Sequence, residues 1–99
     1  MKNLNPVVCT LTTVQRLWRG QSWKRSLRRY AARVDRLPDG VSIELKTDAP
    51  LAELRALVAA ESECCRWMNL DLQERADPPV LRITADTDEG VKTIVAMIG

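Results

Sequence analysis

Residues 61–68, Glu-Ser-Glu-Cys-Cys-Arg-Trp-Met, hold the side chains of this chain that are best suited to chemistry. Glu61, Cys64 and Cys65 are spaced i, i+3 and i+4, so on a helix they lie within about one turn of each other. On a helical wheel of residues 51–65, Glu61 and Cys65 fall on the same apolar arc as the leucines, and Cys64 lies on its rim. A helix that buries this arc therefore turns a carboxyl group and a thiol inward.

This arrangement favours a site for a thiophilic ion. A buried carboxyl group is costly unless a base, a backbone donor or a bound ion compensates it. Soft thiolates select zinc and copper(I), and also heavier thiophilic ions such as mercury(II) and arsenic(III). We predict a metal site formed by Cys64 and Cys65, with Glu61 and Cys9 as further ligands. Cys9 lies in a short extended arm, from which a third thiolate would join the pair.

A purely structural role for the cysteines is the alternative. Cysteine is among the most buried residue types and packs as a small hydrophobe, so two adjacent buried cysteines need no function. The CxxC spacing that is typical of structural zinc sites is absent. The glutamate on the apolar arc favours the functional interpretation, because cysteine burial does not explain it.

The composition indicates one small globular protein. The 99 residues are 45% hydrophobic, which predicts a single domain over residues 1–99. There is no run of 18 apolar residues that would predict a membrane span, and the N-terminus lacks an apolar signal core. Three cysteines, two of them adjacent, are typical of reduced thiols, so we expect a cytoplasmic protein. The chain has no histidine, so a general acid would have to be a carboxyl group.

The net charge of +2 is unevenly distributed along the chain. Residues 16–36 contain eight basic residues and one acidic residue, a stretch that could bind nucleic acid or an acidic protein partner. However, four residues of this stretch recur at helical core spacing: Trp23, Leu27, Tyr30 and Val34. This spacing predicts that they are buried, so the aromatic residues among them would not stack on bases. A solvated basic face is therefore the competing interpretation, and a homodimer is also left open.

Alternating hydrophobicity predicts two β-hairpins, one on either side of the cysteine helix. The first pairs residues 31–37 with residues 41–46 across the turn Leu37-Pro38-Asp39-Gly40. The second pairs the alternating residues 68–73 with the return strand 80–84. Each hairpin is followed or preceded by a segment with helical periodicity.

Capping patterns predict where these helices begin. Asp48 is expected to cap a helix that starts at Ala49, and Asp86 with Glu89 is expected to start the C-terminal helix. The sequence therefore predicts an α+β fold, in which two hairpins form a four-stranded, mostly antiparallel sheet with helices packed on one face.

Two short motifs resemble a group of short, largely uncharacterised bacterial proteins. The motifs are Cys9-Thr10-Leu11 and the run Ala60-Glu61-x-x-Cys64-Cys65-x-Trp67. In that group the cysteine pair is followed by proline and an aromatic residue, whereas here Arg66 stands at the proline position. Some members are associated with resistance to mercury and other thiophilic metals. The resemblance implies a thiol or metal role for Cys9, Glu61, Cys64 and Cys65.

Three functions are consistent with the sequence. The first is a small cytoplasmic thiol protein that binds a soft metal or metalloid ion through the vicinal cysteines. The second is a binding module without a metal, in which the basic 16–36 surface docks nucleic acid or an acidic partner. The third is a thiol-dependent enzyme, acting either as a redox relay or in the cleavage of a carbon–metal bond with Glu61 moving the proton.

Overall fold

In the described part of the chain, two β-hairpins are each followed by a helix. The computed structural model describes residue 25 and residues 27–98, with Cys64 described by its main chain alone. Residues 27–30 are helical and lead into the ordered elements. These are β1 (Ala31–Leu37), β2 (Gly40–Leu45), α1 (Leu51–Cys64), β3 (Asn69–Gln73), β4 (Val80–Thr84) and α2 (Asp88–Ile98).

The four strands form one antiparallel sheet in the order β1-β2-β4-β3. The two hairpins therefore meet through their second strands, and β1 and β3 lie at the edges. The Asp77–Pro78 peptide in the β3–β4 connection is cis. The α+β class and the four-stranded antiparallel sheet predicted from the sequence are confirmed.

One face of the sheet and both helices supply the hydrophobic core. Val41, Ile43 and Leu45 alternate along β2 and are buried, as the period of two predicts. Leu81 and Ile83 do the same on β4, and Leu54 from α1 and Ile94 from α2 complete the same cluster. Helix α1 contacts β3, and α2 contacts β2 and β4. Helix α2 thus packs on the two central strands, whereas α1 packs beside the edge strand β3.

Gly40 is required where the two hairpins approach each other. A Cβ atom at this position would stand 1.9 Å from the carbonyl oxygen of Ile83 and 2.8 Å from the Cα atom of Thr84. Since these are main-chain atoms, they cannot move aside without breaking the β2–β4 pairing. Gly40 therefore closes the first hairpin and also permits the central strand contact.

The predicted helix starts were wrong by one or two residues. Helix α1 begins at Leu51 after an N-cap at Pro50, and no side chain caps it, so Asp48 does not have the expected role. Helix α2 begins at Asp88, and the hydroxyl oxygen of Thr87 accepts a 3.0 Å hydrogen bond from the Gly90 N–H. Threonine three residues before an amide donor is an ordinary N-cap, and it displaces the predicted start at Asp86.

The expectation that Val34 is buried was also wrong. Its side chain is 46% exposed, the highest value that any large hydrophobic residue among residues 27–98 reaches. The helical residues end at Tyr30, so helical spacing does not carry over to Val34 in the strand. The β1–β2 register also shifts between Ala31 and Arg33, which bends the strand at the edge of the sheet.

Candidate metal site at the end of helix α1

Glu61 is the buried charged residue of the described part of the chain. Its side chain is 5% exposed and lies two turns after Leu54, which is 1% exposed. Leu57 and Val58 pack against the core from the intervening turn. The helical wheel predicted this placement, because Glu61 follows the apolar arc at positions i+3, i+4 and i+7. The last turns of α1 therefore carry a carboxyl group into the protein.

The helix ends at the cysteine pair. Cys64 is the last residue of α1, and Cys65 leaves the helical conformation with φ −121° and ψ 71°. The Cys65 N–H donates a 2.7 Å hydrogen bond to the Glu61 main-chain oxygen, and the Met68 N–H donates a 3.1 Å bond to the Cys65 oxygen. These two bonds fix the backbone of the turn on both sides of Cys65. The half-buried Cys65 packs against the core cluster one turn from Glu61.

Trp67 anchors the segment that follows the cysteines. Its side chain is 5% exposed, so it is a core residue. The indole lies against Gly90 in the first turn of α2, where a Cβ atom would be 3.2 Å from its Cε3 atom. Trp67 and Met68 are both buried, so the chain enters the core two residues after Cys65.

The structure describes the side chains of only two of the four predicted ligands, Glu61 and Cys65. Cys9 lies outside the described residues, as does the side chain of Cys64, so the grouping of three thiols with Glu61 stays a prediction. The described side chains contain no group of three or more His, Cys, Asp or Glu residues placed to hold a metal ion. What the fold does bring together is Glu61, Cys65 and the helix terminus.

Arg82 is not placed to be the base that compensates Glu61. On β4 it lies between Leu81 and Ile83, both fully buried, and side chains alternate between the faces of a strand. Arg82 is exposed and pairs in register with Ser42 and Asp71, on the polar face of the sheet. Arg82 therefore points away from the core in which Glu61 is buried.

An ion pair that sequence reasoning missed ties α1 to the second hairpin. Arg55 Nη2 lies 2.5 Å from Glu74 Oε1, and Arg55 Nε donates a 3.2 Å hydrogen bond to Oε2. This bidentate contact lowers the pKa of Glu74 below its usual range, mainly through the side-chain hydrogen bond from Arg55, and raises the pKa of Arg55 for the same reason. The two residues are 19 positions apart and no local pattern links them, so the sequence carried no signal for the pair.

The basic stretch is exposed where the structure describes it. Arg25, Arg28, Arg29, Arg33 and Arg36 all have exposed side chains, while Leu27 is buried at 6%. The guanidinium of Arg29 lies 5.5 Å from the ring centre of Tyr30, which packs against the core. Burial of Leu27 and partial burial of Tyr30 agree with the core spacing, and Trp23 lies outside the described residues.

A cleft of about 370 Å³ opens beside this basic surface. Its lining includes Leu27, Ala31 and Val34 on one side, and Met97 and Ile98 from the end of α2 on the other. Arg28 also lines the cleft. The apolar side of β1 is thus only partly covered by the helices.

Comparison with known proteins adds no relative. No protein-family model matches the chain, and neither does any curated protein or solved structure. Among the described residues, no helix is long and apolar enough to cross a membrane.

Proposed function

We propose that this protein binds a soft metal or metalloid ion at the C-terminal end of α1. Cys64 and Cys65 supply the principal thiolates, and Glu61 and Cys9 complete the coordination. The observation that carries the proposal is the burial of Glu61 at 5% exposure, one turn before the half-buried Cys65. A carboxyl group is seldom found in such a place without a structural or chemical reason.

The electrostatics of the helix terminus favour a cation. The last carbonyl groups of a helix carry a partial negative charge, and basic residues commonly occupy this turn to neutralise it. The last turn of α1 contains no basic residue. A bound cation would satisfy that partial charge together with the carboxylate and the thiolates.

The donor set determines which ions are expected. Thiolate ligands favour zinc, copper(I), mercury(II) or arsenic(III) over magnesium or calcium, which prefer oxygen. Binding displaces the thiol protons, so the apparent affinity should rise with pH. The resemblance to bacterial proteins associated with resistance to thiophilic metals is consistent with this choice.

The test compares Glu61→Gln with Glu63→Gln. Glu63 lies on the same helix but is exposed, so it controls for the loss of one charge near the cysteines. Mercury(II) and zinc(II) affinities would be measured by competition with a chromophoric chelator. We expect Glu61→Gln to weaken binding at least tenfold, with apo stability unchanged or increased, and Glu63→Gln to bind as the wild type does.

Substitutions of the cysteines separate a metal site from core packing. Cys64→Ser and Cys65→Ser should each weaken the thiolate-to-metal absorption band, and the double variant should abolish it, while the far-ultraviolet dichroism is retained. If the Cys65 variant unfolds, Cys65→Ala supplies the apolar replacement. Wild-type protein that binds none of the four ions above non-specific levels would refute the proposal. Tight binding by Glu61→Gln would restrict the site to the cysteines.

A second candidate function is binding of nucleic acid or an acidic partner by the basic 16–36 surface. It is favoured by the exposed arginines in the described part of this stretch, Arg25, Arg28, Arg29, Arg33 and Arg36. Single-stranded DNA should bind with an affinity that falls steeply with salt, since each neutralised phosphate releases counterions. Reversing Arg25, Arg28 and Arg29 to glutamate should abolish it, whereas reversing the exposed Arg75 should not. No binding at low salt would leave the surface simply solvated.

A further inference from the structure

Strand β1 has a free outer edge within the described part of the chain. In the sheet order β1-β2-β4-β3, residues 31–37 have a strand neighbour on one side only. An edge strand presents unpaired N–H and C=O groups that can pair with another chain. The most exposed large hydrophobic residue of the described chain, Val34, lies at the middle of this edge at 46% exposure.

The phase of the ladder shows which amides face outward. The Leu45 N–H donates to the Pro79 oxygen and the Ala85 N–H donates to the Asp39 oxygen, so the odd-numbered residues of β2 bond to β4. The even-numbered residues Ser42 and Glu44 therefore bond to β1, where their partners are Asp35 and Arg33. It follows that the N–H and C=O groups of Val34 point away from the sheet, as do those of Arg36.

The charges along β1 are self-complementary about Val34. If a second β1 pairs antiparallel with a two-fold axis at Val34, Arg33 of each copy lies opposite Asp35 of the other. Within one chain the Arg33 Nε atom already lies 3.0 Å from Asp35 Oδ1, so these charges share one face of the strand. Cross-strand pairs of opposite charge stabilise antiparallel strands, whereas like charges directly opposite destabilise them.

Neighbouring registers are less favourable. An axis at Arg33 would place that residue opposite its own copy, and an axis at Asp35 would oppose two aspartates. Registers shifted by one residue would set outward-facing amides against inward-facing ones. In the Val34 register, Arg36 faces Ala32, so no two like charges are directly opposite.

The apolar side of this register meets the cleft. Val34 pairs with the buried Ile43, and cross-strand neighbours share a face, so Val34 points to the helix side of the sheet. Two copies of Val34 would contact each other beside the clefts that they line. From these observations we propose that the β1 edge binds a second copy of this chain, giving a two-fold dimer with a continuous eight-stranded sheet. The dimer is independent of the proposed metal site.

Charge reversal tests the dimer and its register together. Arg33→Asp alone and Asp35→Arg alone each convert both cross-strand pairs from attraction to repulsion. Each should raise the dimer dissociation constant by about tenfold or more in sedimentation equilibrium, as expected for two such pairs. An equimolar mixture of the two variants should form a heterodimer of wild-type affinity, because every opposed pair is then of opposite charge. The double variant carrying both changes should also dimerise.

The control is Asp71→Arg, which makes the same charge change on the other edge strand, β3, where Asp71 is exposed. It should dimerise as the wild type does. Thermal unfolding of each variant establishes that the monomers fold. A wild type that is monomeric at all concentrations would overturn the proposal. A dimer that survives both single reversals, or a mixture that fails to associate, would also overturn it.

Discussion

Gly90 offers the sharpest test of how the segment after the cysteines is held. A Cβ atom added there would stand 2.6 Å from the Cβ atom of Ala85, 3.1 Å from Thr87 Oγ1 and 3.2 Å from Trp67 Cε3. Atoms at these separations are in steric conflict, and Ala85 has no flexible side chain to move. Gly90→Ala should therefore displace either the first turn of α2 or Trp67.

The expected magnitude follows from two opposed terms. Alanine gains about 1 kcal/mol over glycine in a helix interior. Overpacking of a well-filled core typically costs about 1–3 kcal/mol, and the 2.6 Å contact places this site toward the upper end. The net loss should be about 1–2 kcal/mol, and each kcal/mol lowers the melting temperature of a domain of this size by roughly 4–8 °C.

A double-mutant cycle identifies the cause. Ala85→Gly removes the closest contact, so Gly90→Ala should cost much less in that background than in the wild type. Ala59→Gly, at an exposed position of α1, measures the helix-propensity term in this protein. Thermal and urea unfolding would supply the free energies. If Gly90→Ala raised the melting temperature by the full propensity gain, the close packing of Ala85 and Trp67 around Gly90 would be refuted.

Three further predictions concern the sheet, the ion pair and the thiols. Gly40→Ala should unfold the protein or cost more than about 3 kcal/mol in urea denaturation, because its Cβ atom would meet the Ile83 carbonyl oxygen at 1.9 Å. Glu74→Gln should lower stability at neutral pH but not in acid. The pKa of Glu74 is lowered in the folded protein. The stability that the ionised Glu74 side chain adds is therefore present above the unfolded pKa and disappears as the pH falls through the folded pKa. Equal urea midpoints for Glu74→Gln and the wild type at neutral pH would contradict this. Thiol titration of unfolded, unreduced protein should find all three cysteines reduced, because a bond between adjacent cysteines is strained; finding one thiol would contradict it.

Periodicity was sufficient to predict the elements and the direction of their side chains. Alternation along β2 predicted that Val41, Ile43 and Leu45 share one face of the sheet, and all three are buried. The helical wheel placed Glu61 on the inner side of α1. These features are repeated locally along the chain, so a single sequence reveals them.

Features that depend on distant parts of the chain could not be predicted. The strand order, with β2 beside β4, is set by how two hairpins share one core, and no local pattern encodes it. The Arg55–Glu74 pair joins residues that become neighbours only after α1 packs beside the second hairpin. The prediction for Val34 was wrong for a related reason. The helix ends at Tyr30, so the helical spacing that placed Val34 in the core does not apply to a residue of β1.

The position of β3 at the edge of the sheet has a consequence for how the cysteine pair is held. Only three residues separate Cys65 from β3, a five-residue strand with β4 as its single neighbour among the described strands. Peripheral elements commonly open in fluctuations that leave the rest of a protein intact. Separation of β3 from β4 would release the end of α1 while β2 and β4 stay paired. The amides of β3 should then exchange with solvent faster than those of the central strands. An ion held at the helix end would slow that exchange without altering the hydrogen bonds of the sheet itself.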